Sequence, residues 1–169
     1  MNVGPIGIIA LAVMLAGCTS SSSDAIKPLP STLAKTGFVT TIDVKSVPAN
    51  VSPEFKGALA AELEKNLKLC ATGTTPLRLE ASVAEFKAQN AAATIFIGGT
   101  NLIKGSVQLF DPATNQIVGD YDISRSQGGG GLIAAAAMAG PEERMTEAFA
   151  QEVCLQAFGP YSLAHTTSR

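Results

Sequence analysis

Catalysis needs particular side chains in company, and this chain brings few together. Its one histidine, His165, lies in the unpatterned stretch Tyr161 to Arg169 with no nucleophile motif near it, so a hydrolytic triad has no base. Two carboxylate pairs exist. Asp120 and Asp122 share one outward strand face and would hold a cation weakly at best, while Glu142 and Glu143 sit where a helix dipole favours acids. Solvation accounts for the first pair and helix capping for the second. Cys70 and Cys154 are far apart and lack histidine neighbours, so no metal-ligand spacing is present. The run Gly128-Gly129-Gly130-Gly131 is not followed by the Lys and Ser/Thr of a phosphate loop. The chain is therefore read as a non-enzyme with no catalytic residues, no metal and no cofactor.

Composition narrows the partners. The formal charge is −2, and the 12 Lys and Arg are scattered without a basic run. Nucleic-acid phosphates call for a concentrated positive surface, so no nucleic acid is expected. There is no tryptophan and only 5% of residues are aromatic, which leaves little for stacking on bases or sugars.

The remaining reactive residue is Cys18. It follows an apolar stretch, Val3 to Gly17, broken by Gly4, Pro5 and Gly7. That is short for a membrane span, which needs ~20 apolar residues, and it reads as a secretory signal. Leu15-Ala16-Gly17-Cys18 resembles the lipobox of bacterial lipoproteins. The resemblance implies cleavage between Gly17 and Cys18 and attachment of diacylglycerol to the Cys18 thiolate, with palmitate among the lipid chains carried there. Met1-Asn2-Val3 departs from the pattern in having no Lys or Arg. Either the α-amino group serves alone or the true start lies upstream. Thr19 stands where an Asp would retain such a protein in the inner membrane. By that resemblance the expected location is the outer membrane, facing the periplasm, with the bilayer contacted through the lipid on Cys18.

That compartment is oxidising, and paired cysteines there usually bridge. Cys70 and Cys154 are the two thiols left. Two readings stay open for them: a disulfide between helices, or two buried, inert residues acting as small apolar groups.

The elements that would position these residues follow from periodicity. Residues 1–17 form the signal, 18–35 a lipidated cysteine and flexible tether rich in Ser and Pro, 36–160 one α+β domain, and 161–169 a disordered tail. Gly37 to Val47 alternates as a strand, with Phe38, Thr40, Ile42 and Val44 on one side. Ser52-Pro53-Glu54 signals a helix start with a hydroxyl cap. Phe55, Leu59, Leu63, Leu67 and Cys70 then form one stripe. Pro76 to Phe86 is a strand with Leu77, Leu79, Ala81 and Val83 inward, and a bulge near Ala84 restores the phase for Phe86. Ala88 to Gly99 is ambiguous. Leu102 to Phe110 and Ile117 to Ser124 form a hairpin around Asp111-Pro112. A helix opens at Pro141 and stops at Gly159-Pro160, with Met145, Phe149, Val153 and Leu155 on its apolar arc. The expected order is β-α-β-β-β-α: an antiparallel-rich sheet of about four strands with two helices on one face.

From Gly37 to Phe158 this pattern resembles an uncharacterised bacterial family, domain of unknown function 4410. The resemblance lies in Val107-Gln108-Leu109-Phe110-Asp111, a return strand with Gly119, the Gly-rich segment and the last helix. That family implies no activity. Within Gln127 to Gly140, the apolar Leu132, Ile133 and Met138 would need cover, and contact with an unidentified envelope protein is one reading of them. Two functions survive: a lipid-anchored binding or assembly module, or a lipid-anchored carrier or sensor holding a small apolar ligand between helices and sheet. A cavity among Phe55, Leu63 and Phe149 would favour the carrier. A filled core with an exposed apolar edge would favour assembly.

Overall fold

The structure is a computed structural model and describes residues 18–89, 98–129 and 140–162. The elements run β1 (Cys18–Ser21), β2 (Asp24–Lys27), α1 (Ser31–Thr36), β3 (Gly37–Ser46), α2 (Phe55–Cys70), β4 (Thr75–Lys87), β5 (Gly99–Asp111), β6 (Gln116–Gly129) and α3 (Pro141–Ser162). They build a six-stranded mixed sheet in the order β1-β6-β5-β4-β3, with β2 also paired to β6. From β3 to α3 the order is the expected β-α-β-β-β-α. The sheet is larger than four strands, and β3 and β4 run parallel because α2 carries the chain back between them. The α+β class holds.

The helices cover one face of the sheet. Phe55, Leu59, Leu63, Leu67 and Cys70 of α2 are all buried, as their spacing of four and three requires. The buried arc of α3 is Met145, Phe149, Ala150, Val153, Cys154, Ala157 and Phe158. Leu155 falls off that arc and is 46% exposed, so it does not join the core. Beneath the helices lie Leu77, Leu79, Ala81, Val83 and Phe86 from β4, Ile103, Val107 and Leu109 from β5, and Tyr121 and Ile123 from β6. A register shift between Val83 and Glu85 places the bulge at Ala84, and Phe86 returns inward to stack edge-on against Phe55, 5.3 Å between ring centres.

Several boundaries differ from expectation. A second bulge at Thr40 breaks the alternation of β3, so Val39, Ile42 and Val44 face the core while Thr40 is exposed. Ser52 does not cap α2, whose first turn has no side-chain cap. Its amide and hydroxyl instead bind the Glu142 carboxylate at the start of α3, at 2.9 and 2.5 Å. The backbone of α3 stays helical through Gly159-Pro160 to Ser162, so Tyr161 and Ser162 belong to the helix and not to a tail.

The largest correction concerns the tether. Residues 18–36 are laid on the domain: β1 and β2 pair antiparallel with β6, Leu29 is buried, and α1 leads into β3. A segment of Ser, Thr and Asp can do this because strand pairing uses backbone groups, which every residue supplies. The outer edge of β6 would otherwise present its own amides and carbonyls unpaired.

Candidate functional site

Cys18 is the first residue of β1, opposite Gly128 near the end of β6. The predicted lipidation point is therefore built into the sheet and does not hang from a free linker. Gly17 lies outside the described residues, as do Leu132, Ile133, Met138 and His165.

What holds β1 in place is a buried carboxylate. Glu152, on α3, is 2% exposed. Ser21 Oγ donates to its Oε1 at 2.5 Å, Gln156 Nε2 donates to the same oxygen at 2.8 Å, and Arg125 Nη1 donates to Oε2 at 3.0 Å. Burial pushes the Glu152 pKa up, but the hydrogen bonds from Ser21, Gln156 and Ser23 and the charge of Arg125 outweigh it, so the group titrates below its usual range. Ser23 Oγ accepts from the Ser124 amide at 3.1 Å, and the Ser22 amide donates to the Ser124 carbonyl. Farther along, the Leu29 amide donates to the buried Tyr121 hydroxyl oxygen at 2.7 Å. Burial raises the Tyr121 pKa, and the Leu29 amide partly opposes it. Glu152 sits one helical turn from Phe149 and Gln156, and nothing in its own spacing marks it as an anchor. The signal that could have found it is an acid inside an apolar arc.

Cys70 and Cys154 are joined as a disulfide, with Cα atoms 5.8 Å apart. It ties the end of α2 to α3.

The carboxylate pairs form no centre. Asp120 accepts from Gln108 Nε2 at 3.0 Å, while Asp122 is exposed and lies opposite Asp24 of β2. Glu142 is taken by Ser52. Among the described residues no group of three or more His, Cys, Asp or Glu could hold a metal. Among them too, no helix is long and apolar enough to cross a membrane. Asn101, at the inward phase of β5, is fully buried; its Oδ1 accepts from the Gln89 amide at 2.8 Å, and its Nδ2 has no partner among the described residues.

The outer face of the sheet carries charge. Lys45 bridges Asp43 and Glu80 at 2.6 and 3.2 Å, Arg78 binds Glu80 and covers the Phe110 ring at 4.2 Å, and Glu85 pairs with Lys87 and Lys104. The Lys45 hydrogen bond holds the Asp43 carboxyl below its ordinary pKa. The lysines of these pairs are about half exposed or more, and each of their bonds contributes little.

The feature with room for a partner is a groove of about 520 Å³ between the open edge β3 and α2. Phe38, Val39, Ile42, Ala60 and Leu67 line it, with Glu64 and Lys68 at its rim. Phe55, Leu63 and Phe149, by contrast, are wholly buried and line none of the hollows described. The arrangement has the parts of a binding surface: an apolar floor, a charged rim and a strand edge that is unpaired among the described residues.

No family model matches the chain, which leaves the resemblance to domain of unknown function 4410 without support. No curated protein matches it either. Among solved structures the chain is similar to the PelC dodecamer from Paraburkholderia phytofirmans, with a TM-score of 0.53 and 11% identity, covering 83% of this chain and 99% of that one. A single-substitution variant of that dodecamer, in a second crystal form, gives a TM-score of 0.51 at 11% identity, covering 83% and 98%. At this identity the likeness is one of fold.

Proposed function

We propose that this chain is a lipid-anchored protein of the bacterial envelope, held to the outer membrane through Cys18, facing the periplasm, and working as a binding or assembly module without catalysis of its own. The observation that favours assembly over carriage is the contrast between a filled interior and an open apolar groove at a sheet edge. Phe55, Leu63 and Phe149 occupy the space a small apolar ligand would need. The groove between β3 and α2 is open to solvent and suits a macromolecular partner that can add a strand and bury a few apolar side chains. The similar fold of a protein whose crystals hold dodecamers agrees with this.

The test has two arms. Cys18→Ser should leave uncleaved precursor without labelled palmitate and release the protein from outer-membrane fractions. Crosslinking in intact cells through a photoreactive residue at Thr40, on the groove, should capture a protein partner. Palmitate incorporation that survives Cys18→Ser overturns the anchor, and a groove that crosslinks only to water or lipid overturns the assembly role.

A further inference from the structure

We propose that the hollow between β1, β6 and the first turns of α3 receives the phosphoethanolamine headgroup of a bilayer lipid. This deepens the binding reading and rests on it for the position of the membrane.

The hollow measures about 170 Å³ and lies on the helix face of the sheet. Thr19 of β1, Arg125 and Gln127 of β6, and Arg144, Glu147 and Gln151 of α3 line it. The register explains why these six meet. Along β6, Tyr121 and Ile123 are buried beneath the helices, and Arg125 and Gln127 continue the same alternation toward the end of the strand. Thr19 lies opposite Gln127 in the antiparallel ladder and shares its face, as Ser21 opposite Arg125 does in reaching Glu152. On α3, Arg144, Glu147 and Gln151 are spaced by three and four, which sets them in one stripe along the flank of the helix.

The lining carries both signs of charge. Arg125 gives Nη1 to the buried Glu152, and a guanidinium has five N–H donors, so the same side chain can serve a second acceptor. Arg144, exposed on α3, brings a second guanidinium to the hollow. Glu147 is held loosely. Its Oε1 lies 3.4 Å from Gln151 Nε2 and 3.8 Å from Lys65 Nζ, and Lys65 has a nearer partner in Glu62 at 3.0 Å. A simple anion here would meet the Glu147 carboxylate, and a simple cation would meet two guanidiniums. A zwitterion that joins a phosphate to a primary ammonium suits both. Its phosphate accepts from Arg125 and Arg144, the planar donors that match it, and its ammonium donates to Glu147.

The anchor sets the depth. Thr19 is the neighbour of Cys18, ~3.4 Å further along β1. The polar region on each side of a bilayer is about 5–8 Å thick, so a lipid on Cys18 brings the hollow to the level of the headgroups. Size agrees as well. Pockets for drug-sized ligands run from ~300 to ~1,000 Å³. At about 170 Å³ this one takes a headgroup and leaves the acyl chains in the bilayer.

The experiment uses the full lipidated chain in a maltoside detergent, which has neither phosphate nor ammonium. The probes are dihexanoyl phosphatidylethanolamine, dihexanoyl phosphatidylglycerol, which has the phosphate without the ammonium, and glycerophosphoethanolamine, which has the headgroup without acyl chains. Binding is read from the NMR shifts of the Gln127 and Gln151 side-chain amides. The ethanolamine lipid should bind about tenfold more tightly than the glycerol lipid, the difference one charge-assisted hydrogen bond makes. Arg144→Gln should weaken both lipids about tenfold, whereas Glu147→Gln should weaken the ethanolamine lipid alone and abolish the preference. Equal binding of the two lipids by the unaltered chain, or a preference that survives Glu147→Gln, overturns the proposal. Glycerophosphoethanolamine bound as tightly as the ethanolamine lipid would make the ligand a soluble compound and overturn its bilayer source. An unchanged melting curve establishes that each variant folds; if one does not, the comparison of the two lipids on the unaltered chain still decides. Palmitate labelling is read separately. An unlabelled chain that keeps the preference removes the anchor and leaves the site, and a labelled chain without the preference does the reverse.

Discussion

Ser21 and Glu152, 131 residues apart in the chain, meet at 2.5 Å, and this contact joins the first strand to the last helix. A serine beside the predicted lipidation site thereby reaches a carboxylate in the interior. Glu152→Gln keeps the shape and removes the charge that satisfies Arg125, whose side chain is 18% exposed. Loss of a hydrogen-bonded, buried charge of this kind costs about 1–3 kcal/mol. The expected result is a lower denaturation midpoint together with faster amide exchange over residues 18–27. A variant that lowers the midpoint but leaves exchange there unchanged would show that Glu152 does not hold β1.

Acid should act at the same place. The Glu152 pKa is lowered in the folded chain below its ordinary 4.5, so its contribution is fully present above that value and is lost as pH falls from there through the folded pKa. Exchange of the β1 and β2 amides should accelerate below about pH 4.5 before the core amides of β4 and β5 do. In Glu152→Gln this early acid phase should be missing.

The Cys70–Cys154 bridge spans 84 residues of chain. In the chain-entropy account a loop of this size stabilises by ~4–5 kcal/mol at most. The double variant Cys70→Ser, Cys154→Ser should unfold at markedly lower denaturant, and reduction of the native chain should shift it the same way. Equal midpoints with and without reductant would mean that the helices are held by packing alone.

Truncation before Lys35 tests the corrected role of the N-terminal segment. A flexible tether could be removed without loss. Here removal takes away β1, β2, the buried Leu29 and the start of α1, and strips the outer edge of β6. The truncated chain should melt at lower temperature and aggregate through the bared edge. A soluble, monomeric truncation with an unchanged melting temperature would restore the tether.

Gly105 lies opposite Val83, at the start of the bulge in β4. A Cβ there would stand 2.2 Å from the Ser82 carbonyl oxygen, a clash with backbone that no rotamer relieves. Gly105→Ala should therefore cost about 1–3 kcal/mol, as overpacking does, measured by urea unfolding. Gly57→Ala, where a Cβ meets nothing, is the control and should be neutral or slightly stabilising.

Much of the domain was legible from spacing. The α2 stripe, the inward faces of β4 to β6 and the bulge at Ala84 follow from apolar residues whose period has one solution. The Asp111 turn was legible too: its carboxylate accepts from the Ala113 amide and the Thr114 hydroxyl, both at 2.9 Å, and these bonds hold its pKa down. What periodicity could not show was structure made by backbone. β1 and β2 pair through amides and carbonyls, so Thr19 to Lys27 kept the composition of a linker. The phase of β3 was misread because Phe38 and Thr40 fit a continuous alternation that a bulge interrupts. Ser52 looked like a cap because its neighbours are those of a helix start, but its bond goes to Glu142, 90 residues away. The groove was invisible for a similar reason. Val39 fell on the side opposite Phe38, Thr40, Ile42 and Val44, and Leu67 read as core; the groove is open because no described strand lies beyond β3.

The pairing of Cys18 with Gly128 has a mechanical side. β1 lies along β6, so a pull on a lipid at Cys18 in line with the strand would load the four residue pairs of the β1–β6 ladder together, in shear, instead of peeling them one by one. Behind them stand Ser21 and its buried carboxylate. Force applied at the bilayer would enter the sheet directly, with no slack to absorb it, and tilting the domain would mean tilting the lipid with it.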